Sequence, residues 1–338
     1  MKKYFKFIAM MIFTVTLIIT QTGCGGVEKI SKSSYYMDTI CEITIYDMEE
    51  MSEENATAAI DSAFELCADY ESLISATREE SDIYKINEAG GDAVTCDGDT
   101  IELLQLGIKY GDLSEGKFDI TLGQVTDLWD FHAEEPKVPA MADVVAALKA
   151  VDYQQIQIDG NQVSMTEAKG KINLGGIGKG YIADRAAEHL ESLGVYSAII
   201  NFGGNIVAVG ENDGKPFKIG IKDPNNASGD VLGAVSVNDA TVVTSGVYER
   251  CFEQDGKIYH HILDVKTGYP VDTDVMSVTL VAAKGRSADC DALSTTCLIL
   301  GIEEGMKLIE SVDGIDAVFV DADGNITQTE GMNNFELM

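Results

Sequence analysis

Apolar residues recur at helical spacing after Ser52. Ala56, Ile60, Phe64, Cys67, Leu73 and Ile74 share one face, and Ser52 stands where a cap belongs. A second helix is expected from about Thr100 to Leu113. A short one over 142–151 follows Pro136 and Pro139. Another over 181–193 presents Ile182, Ala183, Ala186, Ala187, Leu190 and Leu193. Strand-like stretches fall at 40–46, 155–159 and 162–165. More follow at 196–201, 206–209, 217–222, 231–237, 241–244, 258–264 and 275–283. Ser287 opens a helix that Gly301 ends. A shorter helix and a hairpin turning at Asp323-Gly324 close the chain. Strands cluster between helical blocks instead of alternating with them. That favours an α+β fold, with mixed or antiparallel sheets and packed helices, over a doubly wound sheet.

The first residues follow a different pattern. Lys2, Lys3 and Lys6 precede the short apolar stretch Phe7–Ile19, and Gln21-Thr22-Gly23-Cys24 follows. Residues 1–23 read as a signal peptide and Cys24 as a lipidation site. An ordinary secretion signal with an incidental cysteine is the plainer alternative. Residues 24–34 are then a lipid-anchored tether, and 35–338 carry the fold. Acyl chains on Cys24 would hold the exported protein on the outer face of the cell membrane. Of the other cysteines, none forms a C-x-x-C pair, which disfavours a zinc ribbon or a thioredoxin-type site. Cys290 and Cys297 share one expected helix, roughly 10 Å apart, too far to bond.

Charge removes whole classes of function. The 338 residues hold 24 basic and 56 acidic groups, for a net charge of −32. Without the three lysines of residues 1–23 the balance is −35. Nothing here would neutralise nucleic-acid phosphates over a broad surface, so no nucleic-acid partner is expected. A 45% apolar content is enough to bury a sizeable core.

Three segments carry candidate chemistry. Asn173-Leu174-Gly175-Gly176-Ile177-Gly178-Lys179-Gly180 precedes a helix. It lacks the Ser or Thr of a Walker loop and the spacing of a dinucleotide fingerprint. Its amides and Lys179 suit a phosphate at a positive helix end, although a tight packing turn explains the glycines equally well. In Asp289-Cys290-Asp291-Ala292-Leu293-Ser294-Thr295, Asp291 and Thr295 lie at i and i+4. They are hard oxygen donors of the kind Mg²⁺ takes, or part of a solvated acidic face. His260-His261 is the third, a candidate base or a structural pair whose side chains would point to opposite faces of a strand.

Taken together and in order, these segments resemble the FAD:protein FMN transferases of the ApbE family. The resemblance runs through Met37-Asp38-Thr39, Gly116-Lys117-Phe118-Asp119-Ile120-Thr121-Leu122-Gly123 with Leu128-Trp129, and the glycine segment. It continues through Asn201-Phe202-Gly203-Gly204-Asn205, Thr244-Ser245-Gly246, His261-Ile262-Leu263-Asp264 with Thr267-Gly268-Tyr269-Pro270, and Asp291 to Thr295. It implies an ApbE-like fold and Mg²⁺-dependent transfer of FMN from FAD to a Ser or Thr hydroxyl of an acceptor protein, with release of AMP. The acceptor would be a redox protein carrying a Ser/Thr-Gly-Ala-Thr/Ser segment. The resemblance also implies Mg²⁺ on Asp291, Thr295 and the Gly176 carbonyl, with His261 as base. Met37, Phe118, Asp119, Asn173, Lys179, Gly203, Gly204 and Ile262 would contact FAD. The sequence departs from the family pattern at Asp38 (usually Gly), Ile120 (Pro), Asn173 (Asp) and Gly178 (Ala). With water as acceptor the same residues would make an FAD pyrophosphatase. A flavin-binding lipoprotein without activity is the third reading.

Overall fold

The chain's first strand carries no apolar alternation. The computed structural model describes residues 29–46, 51–167, 169–226 and 229–338. In it, β1 (Ile30–Tyr36) pairs antiparallel with β2 (Thr39–Ile45), Ile30 opposite Ile45 and Tyr36 opposite Thr39. Residues 30–34, read from sequence as tether, are sheet edge instead. The sequence hides this because the strand is held by polar side chains. Ser31 donates to Glu42, Thr44 donates to Ser31, and Lys32 pairs with Asp61. The signal segment, Cys24 and residues 25–28 lie outside the described residues.

Next come α1 (Glu53–Ile74), α2 (Asp82–Glu88), β3 (Val94–Thr95), α3 (Gly98–Leu113), α4 (Gly123–Trp129) and α5 (Met141–Ala147). Ser52 caps α1 by accepting from the Asn55 amide at 3.2 Å. The hairpin of β4 (Ile156–Asp159) and β5 (Gln162–Met165) leads to α6 (Gly178–Ser192). A long β-rich run then holds β6 (Ser197–Phe202), β7 (Asn205–Gly210), β8 (Phe217–Lys222), β9 (Val231–Val237) and β10 (Ala240–Gly246). It continues with β11 (Cys251–Gln254), β12 (Lys257–His260) and β13 (Val275–Ala283). The chain finishes with α7 (Ser287–Leu300), α8 (Ile302–Glu310), β14 (Ile315–Asp321), β15 (Ile326–Gln328) and β16 (Phe335–Leu337).

Eight strands form one antiparallel sheet in the order β1-β2-β6-β7-β10-β13-β14-β15. Its two faces are covered differently. Val278, Leu280 and Ala282 of β13 join Ile60, Ile182, Ala186 and Leu293 of α1, α6 and α7 in the main core. Val281, one residue out of phase, packs with Phe217, Ile219 and Val235 of the small sheet β16-β9-β8. The period of two thus divides the apolar residues of a strand between two layers. This is the expected α+β architecture.

Two boundaries differ from the sequence reading, and both bear on chemistry. Helix α6 begins at Gly178, so Gly178 and Gly180 lie inside it. Strand β12 ends at His260, which leaves His261 in the connection to β13. All six described cysteines are free thiols; only Cys251 is exposed. No described helix is long and apolar enough to cross a membrane.

Candidate active site

The crossing of α6 and α7 is close because Gly180 has no side chain. A Cβ there would strike the Ser287 carbonyl. The contact brings the start of α6 onto Asp291, which is only 2% exposed. The Gly180 amide donates to Asp291 Oδ2 at 3.0 Å. Lys179 Nζ donates to Oδ1 at 3.1 Å, to Oδ2 at 3.4 Å and to the Gly175 carbonyl at 3.0 Å. Asn205, 1% exposed, adds a 3.4 Å contact from Nδ2, and its Oδ1 is buried without a partner. Ser245 and Ser294 hydroxyls lie 2.8 Å apart, and Ser294 donates to the Asp291 carbonyl at 3.0 Å. A buried carboxylate therefore faces the start of α6, an ammonium and a side-chain amide.

The oxygens around Asp291 fit a hard divalent cation. Lys179 Nζ already stands as a cation between a carbonyl and a carboxylate. Thr295 follows Asp291 by one turn of α7. A Cβ on Gly176 would come 3.8 Å from Thr295 Oγ1 and 3.1 Å from the Phe118 ring, so Gly176, Thr295 and Phe118 lie together. Among the described residues no group of three His, Cys, Asp or Glu side chains is placed to share a metal. A one-carboxylate site of this kind suits Mg²⁺, which keeps waters and takes substrate phosphate oxygens as ligands. The carbonyl bound by Lys179 belongs to Gly175, a residue the sequence reading did not single out.

Two tight turns stand side by side on one rim of the sheet. Met37 and Asp38 link β1 to β2 with φ of 51° and 56°, and the Met37 amide donates to Glu71 Oε1 at 2.6 Å. Gly203 and Gly204 link β6 to β7 with φ of 59° and 91°. A Cβ on Gly203 would strike Thr39, so the second turn fits against the first only as glycine. Arg250 Nη2 donates to the Asp38 carbonyl at 3.4 Å, and Nη1 donates to His132 Nε2 at 3.2 Å.

The Arg250 carbonyl fixes His261. It accepts from the His261 amide at 3.1 Å and from Nδ1 at 3.3 Å. A carbonyl can only accept, so the ring proton sits on Nδ1 and the lone pair on Nε2. Burial, then the nearby Arg250 and Lys179 charges, lower the imidazole to about 3. It is neutral at physiological pH. Phe131 meets its ring edge-on at 6.5 Å and stacks on Trp129, which donates to the Gly268 carbonyl at 2.7 Å. His260 turns elsewhere, its Nε2 donating to the Val271 carbonyl at 3.2 Å.

Three expected flavin contacts have other commitments. Asp119 accepts from the Thr121 amide and hydroxyl at 2.8 and 2.6 Å and from the Tyr153 amide at 3.0 Å, which clamps the loop behind Phe118. Asn173 Oδ1 accepts from the Gly175 amide at 2.8 Å and shapes the glycine segment. Ile262 is 5% exposed and packs into the main core. Asn205, Arg250 and Glu249 were missed. Arg250 had a legible signal, a basic residue near the histidines in an acidic chain. Glu249 is exposed, but protein packed around it still pushes its carboxyl up to about 7, against the pull of Lys179 and Arg250. A depression of about 280 Å³ lined by Ala282, Gly314, Asp316 and Asn333 is formed by none of these residues.

A family model described as the ApbE family matches residues 37–319. The chain is 33% identical over 330 residues to the FAD:protein FMN transferase of Treponema pallidum, covering 92% of this chain and 90% of that one. Its structure is similar to that of an ApbE protein from Thermotoga maritima, with a TM-score of 0.80, 31% identity, and 89% and 97% of the two chains covered. It is equally similar to the flavin transferase ApbE from Vibrio cholerae, with a TM-score of 0.80, 25% identity, and 91% and 99% covered.

Proposed function

The chain belongs to the ApbE family, and on that premise we propose that it is an FAD:protein FMN transferase. The observation that carries the reading is the oxygen-lined cation position on Asp291, occupied by a Lys179 whose charge also reaches a neutral histidine with its lone pair on Nε2. An acceptor hydroxyl attacks the phosphorus of the FMN half of FAD. The bond from that phosphorus to the bridging oxygen breaks, AMP leaves with the oxygen, and the hydroxyl proton passes to His261 Nε2. Mg²⁺ held by Asp291, Thr295 and a carbonyl of Gly175 or Gly176 would neutralise pyrophosphate charge. Lys179 and Arg250 supply further positive charge in a chain of net −32.

Cys24 would carry lipid after removal of residues 1–23 and hold the domain on the outer face of the cell membrane. The acceptor would then be an exported or membrane redox protein offering a Ser/Thr-Gly-Ala-Thr/Ser segment. The test uses the soluble chain from residue 25 with FAD, Mg²⁺ and an acceptor domain bearing that segment. The acceptor should gain the mass of FMN less water, and lose that gain with EDTA or in Asp291→Ala. Free FMN and AMP without acceptor modification would make the protein a pyrophosphatase. FAD left intact would make it a binder.

A further inference from the structure

A carboxylate that is 2% exposed is costly to leave without a counter-charge. In this chain the counter-charge is Lys179. Its ammonium bridges the Gly175 carbonyl and both Asp291 oxygens at 3.0 to 3.4 Å. It thereby takes the place between a carbonyl and a carboxylate that a divalent cation would need. The Lys179 side chain is 20% exposed, so it has room to leave, whereas Asp291 is held from two other directions by Gly180 and Asn205.

We propose that Lys179 is a displaceable internal counter-ion that makes metal binding and diphosphate binding depend on each other. The inference rests on the transferase reading. An ammonium and a divalent cation cannot share Asp291 at these distances without strong repulsion. Metal entry therefore drives Lys179 off the carboxylate, and the freed ammonium becomes available to the pyrophosphate of FAD. A bound pyrophosphate draws Lys179 away and leaves Asp291 open to metal. By linkage each ligand raises the affinity of the other by the same factor. A pyrophosphate also chelates metal directly, so cooperativity alone does not identify Lys179. The distinguishing quantity is metal affinity without nucleotide.

The test is Mn²⁺ binding to the soluble chain, read from the loss of the free-ion electron paramagnetic resonance signal, with no FAD present. Lys179→Met and Lys179→Gln, checked for native melting, should bind Mn²⁺ at least tenfold more tightly than the unaltered chain and FAD more weakly. Lys179→Arg should keep the weak Mn²⁺ affinity. Unchanged or weaker Mn²⁺ binding in both neutral variants, with binding still abolished by Asp291→Asn, would overturn the counter-ion role and leave the metal site standing. Mn²⁺ binding that survives Asp291→Asn would remove the metal site itself, and this inference with it.

Discussion

Asp184 and Asp291 cap each other's helices. Asp184, on α6, accepts from the Ala288 amide at the start of α7 at 3.1 Å, and Asp291, on α7, accepts from the Gly180 amide at the start of α6 at 3.0 Å. Neither helix has a side-chain cap of its own, since Ile177 and Arg286 occupy the cap positions. Each helix therefore depends on the other for an N-terminal partner. One consequence is functional: the packing that joins the helices also aims the Asp291 carboxylate.

The two caps are not equivalent. Asp291 is compensated by Lys179 and Asn205, whereas Asp184 Oδ1 is buried without a partner. Burial raises the Asp184 carboxyl to about 7 despite the amides of Ala288 and Ser287. Between about pH 4 and 7 the folded protein holds this proton and the unfolded chain does not. Stability from this group therefore falls as pH rises. Asp184→Asn keeps an acceptor for Ala288 and removes the ionisation. Its stability relative to the unaltered chain should climb with pH across that window, by up to about 1.4 kcal/mol per unit, and level off above 7. Urea midpoints at pH 5 and 8 check this; an equal difference at both would contradict it.

Gly180→Ala should be among the most damaging small substitutions. The added methyl meets the Ser287 backbone, which cannot rotate away. Overpacking of this kind costs about 1–3 kcal/mol or more. It should also move Lys179 off Asp291, so activity should fall further than the lost stability explains when folded protein is assayed at low temperature.

Asp38→Gly should have the opposite effect. Asp38 sits at φ 56° in a two-residue hairpin turn, a left-handed conformation that costs most residues about 1–2 kcal/mol. Glycine gives back part of its advantage through unfolded-state entropy. The expected net gain is about 0.5–1 kcal/mol by thermal or chemical unfolding. The Arg250 contact, made to the backbone carbonyl of residue 38, should persist.

His261 is neutral far below physiological pH. The transfer kcat/KM from pH 8 to 5 should therefore show no acid limb from this group. His261→Gln should lower turnover by about 10²–10⁴-fold while FAD affinity changes only a few-fold. An acid limb near pH 6 lost in that variant would mean that the imidazole titrates normally in the working enzyme.

Local patterns made much of this legible. The faces of α1 and α6 and the strands β8, β9 and β13 follow from spacing alone, because each buries one side against a layer. The short elements α2, α4, β3 and β11 carried too few residues for a period to register. Strand β1 was invisible because its middle is polar, with Ser31 bonded to Thr44 and Glu42 and only Ile30 and Tyr36 at its ends packed on the core. Asp291, Thr295 and His261 stand out as candidates because their motifs are contiguous. Arg250 reaches Asp38 and His132 across distant parts of the chain, and the buried faces of Asp184 and Asn205 arise only when α6, α7 and β7 meet. Gly180 looked like part of a phosphate loop; its tightest requirement is the approach of α7.

The Asp291 and His261 site is proposed to move FMN to a protein hydroxyl and not to water. The most direct measurement follows AMP and flavinylated acceptor in one reaction of the soluble chain with FAD and Mg²⁺. Equal amounts of AMP and modified acceptor, with both products lost in Asp291→Asn, are the predicted result. AMP accompanied by free FMN, with the acceptor unmodified, would contradict it.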